Sequence, residues 1–280
     1  MTTLRLLLGC TAVQALVAPP RRVVRRAPVV TAAALAPALK TALTLNTGLA
    51  FAGTLAKQKQ LTPTGLVHAW ALGVILWSSF VGWRGYSFCV LYLVVGSAAT
   101  KIKKAQKEAA GIAEGRGGAR GPENVWGSAA TACMCALYGF QKPALQPLLA
   151  VAYVSSLATK LSDTLASEVG KAYGKTCYLS TTFKRVPPGT EGAVSLEGTL
   201  AGFVGSVVAA GYAIGVGLVP RQACVPIVVA AFVATMCESW LGAGAQGRVP
   251  WLTNEVINFI NTLIGAGVGA ALSAKLFNLY

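Results

Sequence analysis

Eight apolar segments, most of them near the length of a membrane-spanning helix, follow the first 38 residues of the chain. A helix needs about 20 apolar residues to cross the hydrocarbon core of a bilayer. Only 12% of all residues are charged, against roughly 25% in soluble domains. We therefore predict an all-α, polytopic helical membrane protein with about eight transmembrane helices, within a range of six to eight because several segments are short. The segments are approximately 39–56, 64–82, 85–100, 124–140, 145–168, 194–218, 223–240 and 255–274.

Residues 1–38 have the composition of a targeting presequence. A short apolar run at 5–18 ends in small residues, as a signal peptide does, and an arginine-rich stretch follows it. No acidic residue occurs before Glu108, which is typical of a transit peptide. This combination resembles the bipartite presequence used for secondary plastids, and a plain secretory signal is the alternative. We predict a presequence at 1–38 and an integral membrane domain at 39–280.

The basic residues indicate orientation and not nucleic-acid binding. The chain has a net charge of +15, but the lysines and arginines lie in the presequence and in short loops, without a basic face interleaved with aromatic residues. Alternate threading of the eight segments places most loop cations on one side. Asp163, Glu168, Glu197, Glu238 and Glu255 reach the same side. A single polar site at that end of the helices is therefore predicted, with the basic loops facing stroma or cytosol.

The only aspartate of the chain lies at the end of an apolar segment, in the sequence S-D-T-L-A-S-E at 162–168. Ionisable residues are costly there and usually functional. Asp163 and Glu168 are about 140° apart on an ideal helix, so they share a Mg²⁺ ion only through water or a loosened last turn. The alternative is a helix end with solvated acids.

Two further stretches contribute polar groups. Lys184 and Arg185 precede a Pro-Pro-Gly turn, where they suit phosphate oxygens, although an ordinary basic loop has the same composition. Glu238 and a stripe of asparagines on the last segment face the same end, although asparagines also join helices together. Pairs of glycines at 198 and 202, 211 and 215, and 265 and 269 predict close helix packing.

These considerations define the candidate site. The predicted catalytic residues are Asp163, Glu168, Lys184 and Arg185, and the predicted metal ligands are Asp163, Glu168 and Glu238. The predicted residues for substrate and phosphate binding are Ser162, Thr164, Ser167, Lys171, Thr181, Thr182, Gly189, Thr190, Glu191, Ser195, Glu197, Asn254, Asn258 and Asn261.

Several motifs together resemble one known family. They are S-D-T-L-A-S-E-V-G, F-K-R-V-P-P-G-T-E-G-A-V-S-L-E-G-T-L-A-G, E-S-W-L-G, N-E-V-I-N-F-I-N-T-L-I-G-A and the connector that begins K-I-K-K-A-Q-K-E. In their order and spacing they resemble the transmembrane protein 19 family, also called domain of unknown function 92, from about Leu39 to Lys275. The presequence and G-T-E-G-A-V-S are most similar to the plant phytyl-phosphate kinases of vitamin E synthesis.

That resemblance implies an integral enzyme of the plastid envelope, a kinase that converts phytyl phosphate to phytyl diphosphate for tocopherol and phylloquinone synthesis. It implies a nucleoside triphosphate as the phosphate donor, and CTP is the expected nucleotide. The residues themselves predict Mg²⁺, a lipid bilayer around the helices and no nucleic acid, and they leave the oligomeric state open. Small-residue grooves among the last three segments are candidates for the prenyl tail. The alternative function is a membrane transporter or channel with a carboxylate cluster at one face.

Overall fold

A computed structural model describes residues 32–244 and 249–277, with side chains from residue 35 onward. Most of the predicted presequence therefore lies outside the described residues, as does Arg248. The first helix begins at Ala32, inside the stretch predicted as presequence. The boundary at residue 38 stays a prediction.

Eight long helices and one short helix occur in the described ranges, and the long ones coincide with the eight predicted segments. Their bounds are α1 Ala32–Leu55, α2 Pro63–Ser78, α3 Gly82–Lys101, α4 Lys104–Ala109, α5 Pro122–Gln141, α6 Gln146–Tyr173, α7 Leu196–Gly215, α8 Cys224–Gly244 and α9 Asn254–Phe277. The helical fold is thus confirmed. Among the described residues, and by length and composition alone, the stretches long and apolar enough to cross a membrane are Pro143–Tyr173, Leu196–Gly215, Arg221–Gly244 and Asn254–Phe277. The number of eight crossings stays a prediction.

The central helix of the bundle is α6, which packs against α3, α5, α7, α8 and α9. All of its residues from 150 to 163 are buried. Tyr153, Val154 and Leu157 are fully inaccessible in the middle of this stretch. A helix that is buried on every side can carry a charge only where neighbouring helices supply partners for it. The charged residues at the end of α6 are therefore informative.

Small residues bring α7 and α9 close to α6. A Cβ atom added at Gly198 would lie 2.4 Å from the Ala166 carbonyl oxygen, and one at Gly202 would lie 2.8 Å from that of Ser162. A Cβ at Gly265 would likewise meet Thr159 Oγ1 at 2.1 Å. These glycine pairs pack as predicted. The prediction for positions 211 and 215 is wrong, because nothing lies within 4 Å of a Cβ at either one.

The loop between α6 and α7 contains a small antiparallel sheet that the sequence did not predict. Its strands are β1 Cys177–Leu179, β2 Arg185–Val186 and β3 Ala193–Ser195, in the order β2-β1-β3. Gly192 has φ +72° and lies so close to α8 that a Cβ there would meet Ser239 O at 2.4 Å. Ser195 caps α7 by accepting a hydrogen bond from Gly198 N at 3.1 Å. The sheet therefore fixes the loop over one end of the helices.

The alternation of the helices gives a testable orientation. The connector 102–121 and the loop 174–195 lie at one end of the bundle, while Lys142 and Arg221 lie where α5 and α7 have reached the other end. In a background without the native cysteines, single cysteines at Lys104 and Lys184 should react with an impermeant reagent from one side of sealed vesicles. Cysteines at Lys142 and Arg221 should react from the opposite side. Labelling of Lys184 and Lys142 positions from the same side would contradict this arrangement.

Candidate active site

A cavity of about 800 Å³ lies at the end of the bundle where the two long connectors meet. Its walls come from α3, α5, α6, the ends of α7, α8 and α9, the connector 111–120 and the loop 189–195. Six of the nine acidic residues of the chain line it. They are Glu114, Asp163, Glu168, Glu191, Glu238 and Glu255. Four cations, Arg116, Arg120, Lys160 and Lys171, line it as well, so the cavity combines both signs of charge.

A buried lysine joins the acids of the cavity floor. Lys160 Nζ donates to Asp163 Oδ2 at 2.5 Å and to Asn258 Oδ1, and it lies 4.0 Å from Glu238 Oε1. Glu238 also accepts a hydrogen bond from Asn261 Nδ2, although Asn261 does not itself line the cavity. The floor thus holds two carboxylates, one ammonium group and the Asn258 amide, contributed by α6, α8 and α9.

Helical spacing explains why these groups converge. Lys160 and Asp163 are three residues apart on α6, and Asn258 and Asn261 are three apart on α9, so each pair shares one helix face. The two faces meet because Gly265 allows α9 to approach Thr159 of α6. Lys160 was not among the residues predicted from the sequence. Its signal was available, because a lysine inside an apolar segment of membrane-helix length is costly unless it serves a site.

Glu168 lies in a separate ion-pair cluster on the cavity wall. Lys107 of α4 donates to Glu168 Oε2 and to the Thr100 carbonyl at 2.9 Å, and only 2% of either charged side chain is exposed. Lys171 lies 3.8 Å from Glu168 and 3.5 Å from Glu114. Since α6 stays helical to Tyr173, the loosened last turn that would bring Glu168 to Asp163 does not occur. Asp163 instead shares Lys160 with Glu238.

The buried ion pair between Lys107 and Glu168 predicts a stability effect. Removing one partner leaves an uncompensated buried charge, which costs about 3–5 kcal/mol, whereas replacing both by apolar residues is often neutral. Lys107→Met should therefore lower the midpoint of thermal unfolding strongly, and Lys107→Met with Glu168→Leu should recover most of the loss. Unfolding of the detergent-purified protein measures this. If the double variant is as unstable as the single one, the pair does not act as a unit.

A second set of contacts anchors the connector at the cavity mouth. Arg116 donates to Glu123 Oε1 and to Asn124 Oδ1, each at 2.5 Å, and Asn124 donates to Glu255 Oε1 at 3.2 Å. The backbone N–H of Glu123 and the Arg116 guanidinium hold the pKa of the Glu123 carboxyl below its ordinary value. Both members of the Arg116–Glu123 pair are therefore charged at neutral pH.

The structure places most of the predicted site residues on the cavity. Those that line it are Asp163, Thr164, Ser167, Glu168, Lys171, Gly189, Thr190, Glu191, Ser195, Glu238, Asn254 and Asn258. Those that do not line it are Ser162, Thr181, Thr182, Lys184, Arg185, Glu197 and Asn261. Glu197 instead accepts a hydrogen bond from Lys175 N at 3.4 Å.

Lys184 and Arg185, predicted to contact phosphate, are exposed outside the cavity. The reason is the sheet: β2, which holds Arg185, is an edge strand, and β1 separates it from β3, whose residues line the cavity. The cations on the cavity itself come from α6 and from the glycine-rich connector 111–120. Sequence reasoning treated that connector as a loop that sets orientation and therefore missed Arg116 and Arg120.

The donor set fits a divalent cation that is shared with a substrate. No group of three or more His, Cys, Asp or Glu side chains able to hold a metal ion occurs within residues 32–244 and 249–277. Mg²⁺, however, is usually held by one or two carboxylates together with water and substrate phosphates. Asp163 and Glu238 supply two carboxylates that both contact Lys160, and the Asn258 amide oxygen accepts a hydrogen bond from the same ammonium group.

Comparison with known proteins places the chain among membrane proteins. A family profile described as "Integral membrane protein DUF92" matches residues 46–266. An uncharacterized membrane protein of the cyanobacterium Synechocystis is 54% identical over 235 residues, which is 84% of this chain and 91% of the relative. No solved structure matches the chain.

Two further relatives are more distant. The chloroplastic protein VTE6 of Arabidopsis thaliana is 45% identical over 211 residues, which is 74% of this chain and 63% of the relative. An uncharacterized membrane protein of Methanocaldococcus jannaschii is 26% identical over 227 residues, or 79% of this chain and 89% of the relative. The similarity to each of them extends over most of this chain.

Proposed function

We propose that this chain, which belongs to the DUF92 family of integral membrane proteins, is a membrane phosphotransferase that acts on a prenyl monophosphate. The substrate would be phytyl phosphate and the product would be phytyl diphosphate. The donor would be a nucleoside triphosphate, with CTP as the expected nucleotide. Tocopherol and phylloquinone synthesis would use the product. The similarity to a chloroplastic protein of Arabidopsis supports a plastid membrane as the location.

One observation carries the proposal: the cavity gathers six carboxylates and four cations at one end of apolar helices. Phosphoryl transfer depends mainly on positioning and on neutralising charge, with little covalent help from the protein. The combination of carboxylates for a divalent cation with lysine and arginine for phosphate oxygens suits that reaction. A site at the end of membrane helices also suits one substrate that is dissolved in water and another that is held in the bilayer.

The roles follow from the contacts. Asp163, Glu238 and the Asn258 amide would hold Mg²⁺, which would supply the positive charge that neutralises the phosphates. Lys160 would lie beside the same phosphates, and Lys171 and Arg116 at the mouth would bind the remaining oxygens of the nucleotide. An oxygen of the acceptor phosphate attacks the γ-phosphorus of the donor, and the nucleoside diphosphate leaves. Since the acceptor oxygen is already anionic, no side chain has to remove a proton from it.

Lys184 and Arg185 have a lesser part in this proposal. Both are exposed outside the cavity. Neither of them contacts a phosphate bound in the cavity in this arrangement.

One observation favours the transporter alternative. Buried side-chain oxygens without a hydrogen-bond partner occur on the neighbouring helices α6, α8 and α9, at Ser155, Thr159, Thr235, Asn261 and Ser273. Such oxygens are common along ion pathways. Thr159 and Ser155, however, pack directly against Gly265 and Gly269. Hydroxyl oxygens that contact glycine Cα atoms are also a feature of close helix contacts. These unpartnered oxygens therefore do not require a permeating ion to explain them.

Nucleotide binding separates the two functions. A phosphotransferase should be stabilised by CTP with Mg²⁺, because a ligand that binds only the folded state raises the unfolding midpoint. The test is thermal unfolding of the purified protein with each nucleoside triphosphate, with and without Mg²⁺. A transporter of another solute should show no shift with any nucleotide, and that result would remove the support for the phosphotransferase.

A further inference from the structure

Among the cations of the cavity, Arg120 differs from the others in having no acidic partner. Lys160, Lys171 and Arg116 each lie within 4.0 Å of a carboxylate. In the part of the chain that the structure describes, Arg120 forms no such ion pair. Its Nη1 atom donates to Tyr92 Oη at 2.8 Å, and its guanidinium carbon lies 5.0 Å from the centre of the Tyr92 ring.

The fold holds this guanidinium in one place. Tyr92 Oη donates onward to Ser128 Oγ at 3.0 Å, so the hydroxyl is fixed as an acceptor for Arg120. The Arg120 backbone is tied on both sides, because its N–H donates to Gln60 O at 2.9 Å and its carbonyl accepts from Thr62 N at 3.0 Å. A partly buried guanidinium that is held in place, with free N–H groups and no counter-ion, is suited to bind an anion.

Glycine at position 96 makes room for it. A Cβ atom added at Gly96 would lie 2.8 Å from Arg120 Nη2 and 3.7 Å from Thr164 Cγ2. The guanidinium therefore lies against the backbone of α3, on the cavity wall between α3 and Thr164 of α6. The floor carboxylates Asp163 and Glu238 both contact Lys160, whereas Arg120 contacts neither of them. The cavity thus offers one guanidinium without a counter-ion in addition to the Lys160-bound carboxylates of its floor.

We infer that Arg120 binds the phosphate monoester of the acceptor lipid, while the Asp163–Glu238 floor serves the nucleotide. This assignment rests on the proposed function. It gives the two phosphate-bearing substrates separate positions, which a direct transfer between two anions requires, because each anion needs its own neutralising group. The Arg120 fork can bind two oxygens of a terminal phosphate at once.

A second, apolar cavity of about 790 Å³ lies on another face of α3, where Trp83, Leu91 and Val94 line it together with Tyr212 of α7. Gly96 is two residues beyond Val94 and therefore about 200° around the helix, so this groove and Arg120 lie on opposite sides of α3. The groove gives no preference for a lipid phosphate over free phosphate, and separate titrations distinguish the two sources.

Equilibrium binding without turnover tests the inference. Phytyl phosphate, inorganic phosphate and CTP with Mg²⁺ are titrated separately onto the protein in lipid nanodiscs. Arg120→Gln should weaken phytyl phosphate binding about 10- to 100-fold, the range for hydrogen bonds to a charged group, and leave CTP binding within about twofold. Gly96→Ala, which displaces the guanidinium without removing its charge, should weaken phytyl phosphate in the same direction. Arg221 is an exposed arginine at the other end of the bundle, so Arg221→Gln should bind phytyl phosphate and CTP as the wild type does.

The possible results decide between a lipid phosphate and free phosphate as the ligand of Arg120. They also separate this inference from the proposed phosphotransferase function. If inorganic phosphate binds as tightly as phytyl phosphate and shows the same loss, the lipid assignment is overturned. If Arg120→Gln and Gly96→Ala bind phytyl phosphate as the wild type does, or if the wild type does not bind it, the inference is wrong. If Arg120→Gln does not fold, as loss of its CTP binding would reveal, Arg120→Lys and Gly96→Ala decide the matter. Arg120-dependent binding in a protein without turnover would support this subsite and contradict the phosphotransferase.

Discussion

Asp163→Asn should abolish phosphoryl transfer and leave the protein folded. Asparagine keeps the shape of the side chain and can still accept a hydrogen bond from Lys160, which contacts Asp163 Oδ2 at 2.5 Å. It removes one of the two carboxylates on the cavity floor, where the proposed Mg²⁺ would bind. Loss of an electrostatic group that acts on the transferred phosphate costs roughly 10³-fold or more. The turnover of phytyl phosphate with CTP and Mg²⁺ measures the effect.

A matched control is Glu108→Gln. Glu108 is an exposed acid on α4, 3.6 Å from Lys104 and outside the cavity, so its loss should leave turnover unchanged. Size-exclusion profiles and unfolding midpoints confirm that both variants are intact. If Asp163→Asn turns over at close to the wild-type rate, Asp163 does not bind the metal.

Lys160→Met should lower both turnover and stability, and Mg²⁺ should restore part of the stability. Methionine keeps most of the length of lysine but leaves Asp163 and Glu238 without their buried cation. Leaving such charges uncompensated costs about 3–5 kcal/mol. Since a divalent cation that binds the folded state offsets this loss, the Mg²⁺-dependent rise in unfolding midpoint should be larger for Lys160→Met than for the wild type.

The control for this variant is Lys101→Met, because Lys101 is exposed at the end of α3 and does not line the cavity. Thermal unfolding in chelator and in excess Mg²⁺ gives the comparison for both variants. An Mg²⁺ shift of equal size in the wild type and in Lys160→Met would mean that Lys160 and the metal do not share the carboxylate pair.

The helices could be predicted from the sequence because the bilayer imposes a strong constraint on it. Backbone groups inside the hydrocarbon must be satisfied within the segment, so long apolar runs become helices. The gathering of Asp163, Glu238 and Glu255 at one end also follows from alternation alone, and the cavity contains all three. Close packing at Gly198 and Gly265 was predictable because each glycine lies four residues from another. The pair at 211 and 215 has the same spacing but lies on a surface that no helix within residues 32–244 and 249–277 covers.

The pairing of charges between distant segments could not be predicted. Lys107 and Glu168 are 61 residues apart, and Lys160 and Asn258 are 98 apart. Such pairs depend on which helix faces meet, and periodicity within one segment does not determine that. Arg185 shows the same limit, since two short strands decide whether it faces the cavity. Composition marked it as a phosphate ligand, but local hydrogen bonding of the backbone placed it outside.

The measurement that tests the central claim most directly is transfer of the γ-phosphate from labelled CTP to a lipid. Purified wild-type protein and Asp163→Asn are reconstituted separately in vesicles that contain phytyl phosphate, and Mg²⁺ is supplied. The account predicts labelled phytyl diphosphate in the lipid fraction with the wild type and background label with Asp163→Asn. If folded wild-type protein transfers no label from any nucleoside triphosphate, or if Asp163→Asn transfers it as fast as the wild type, the account is contradicted.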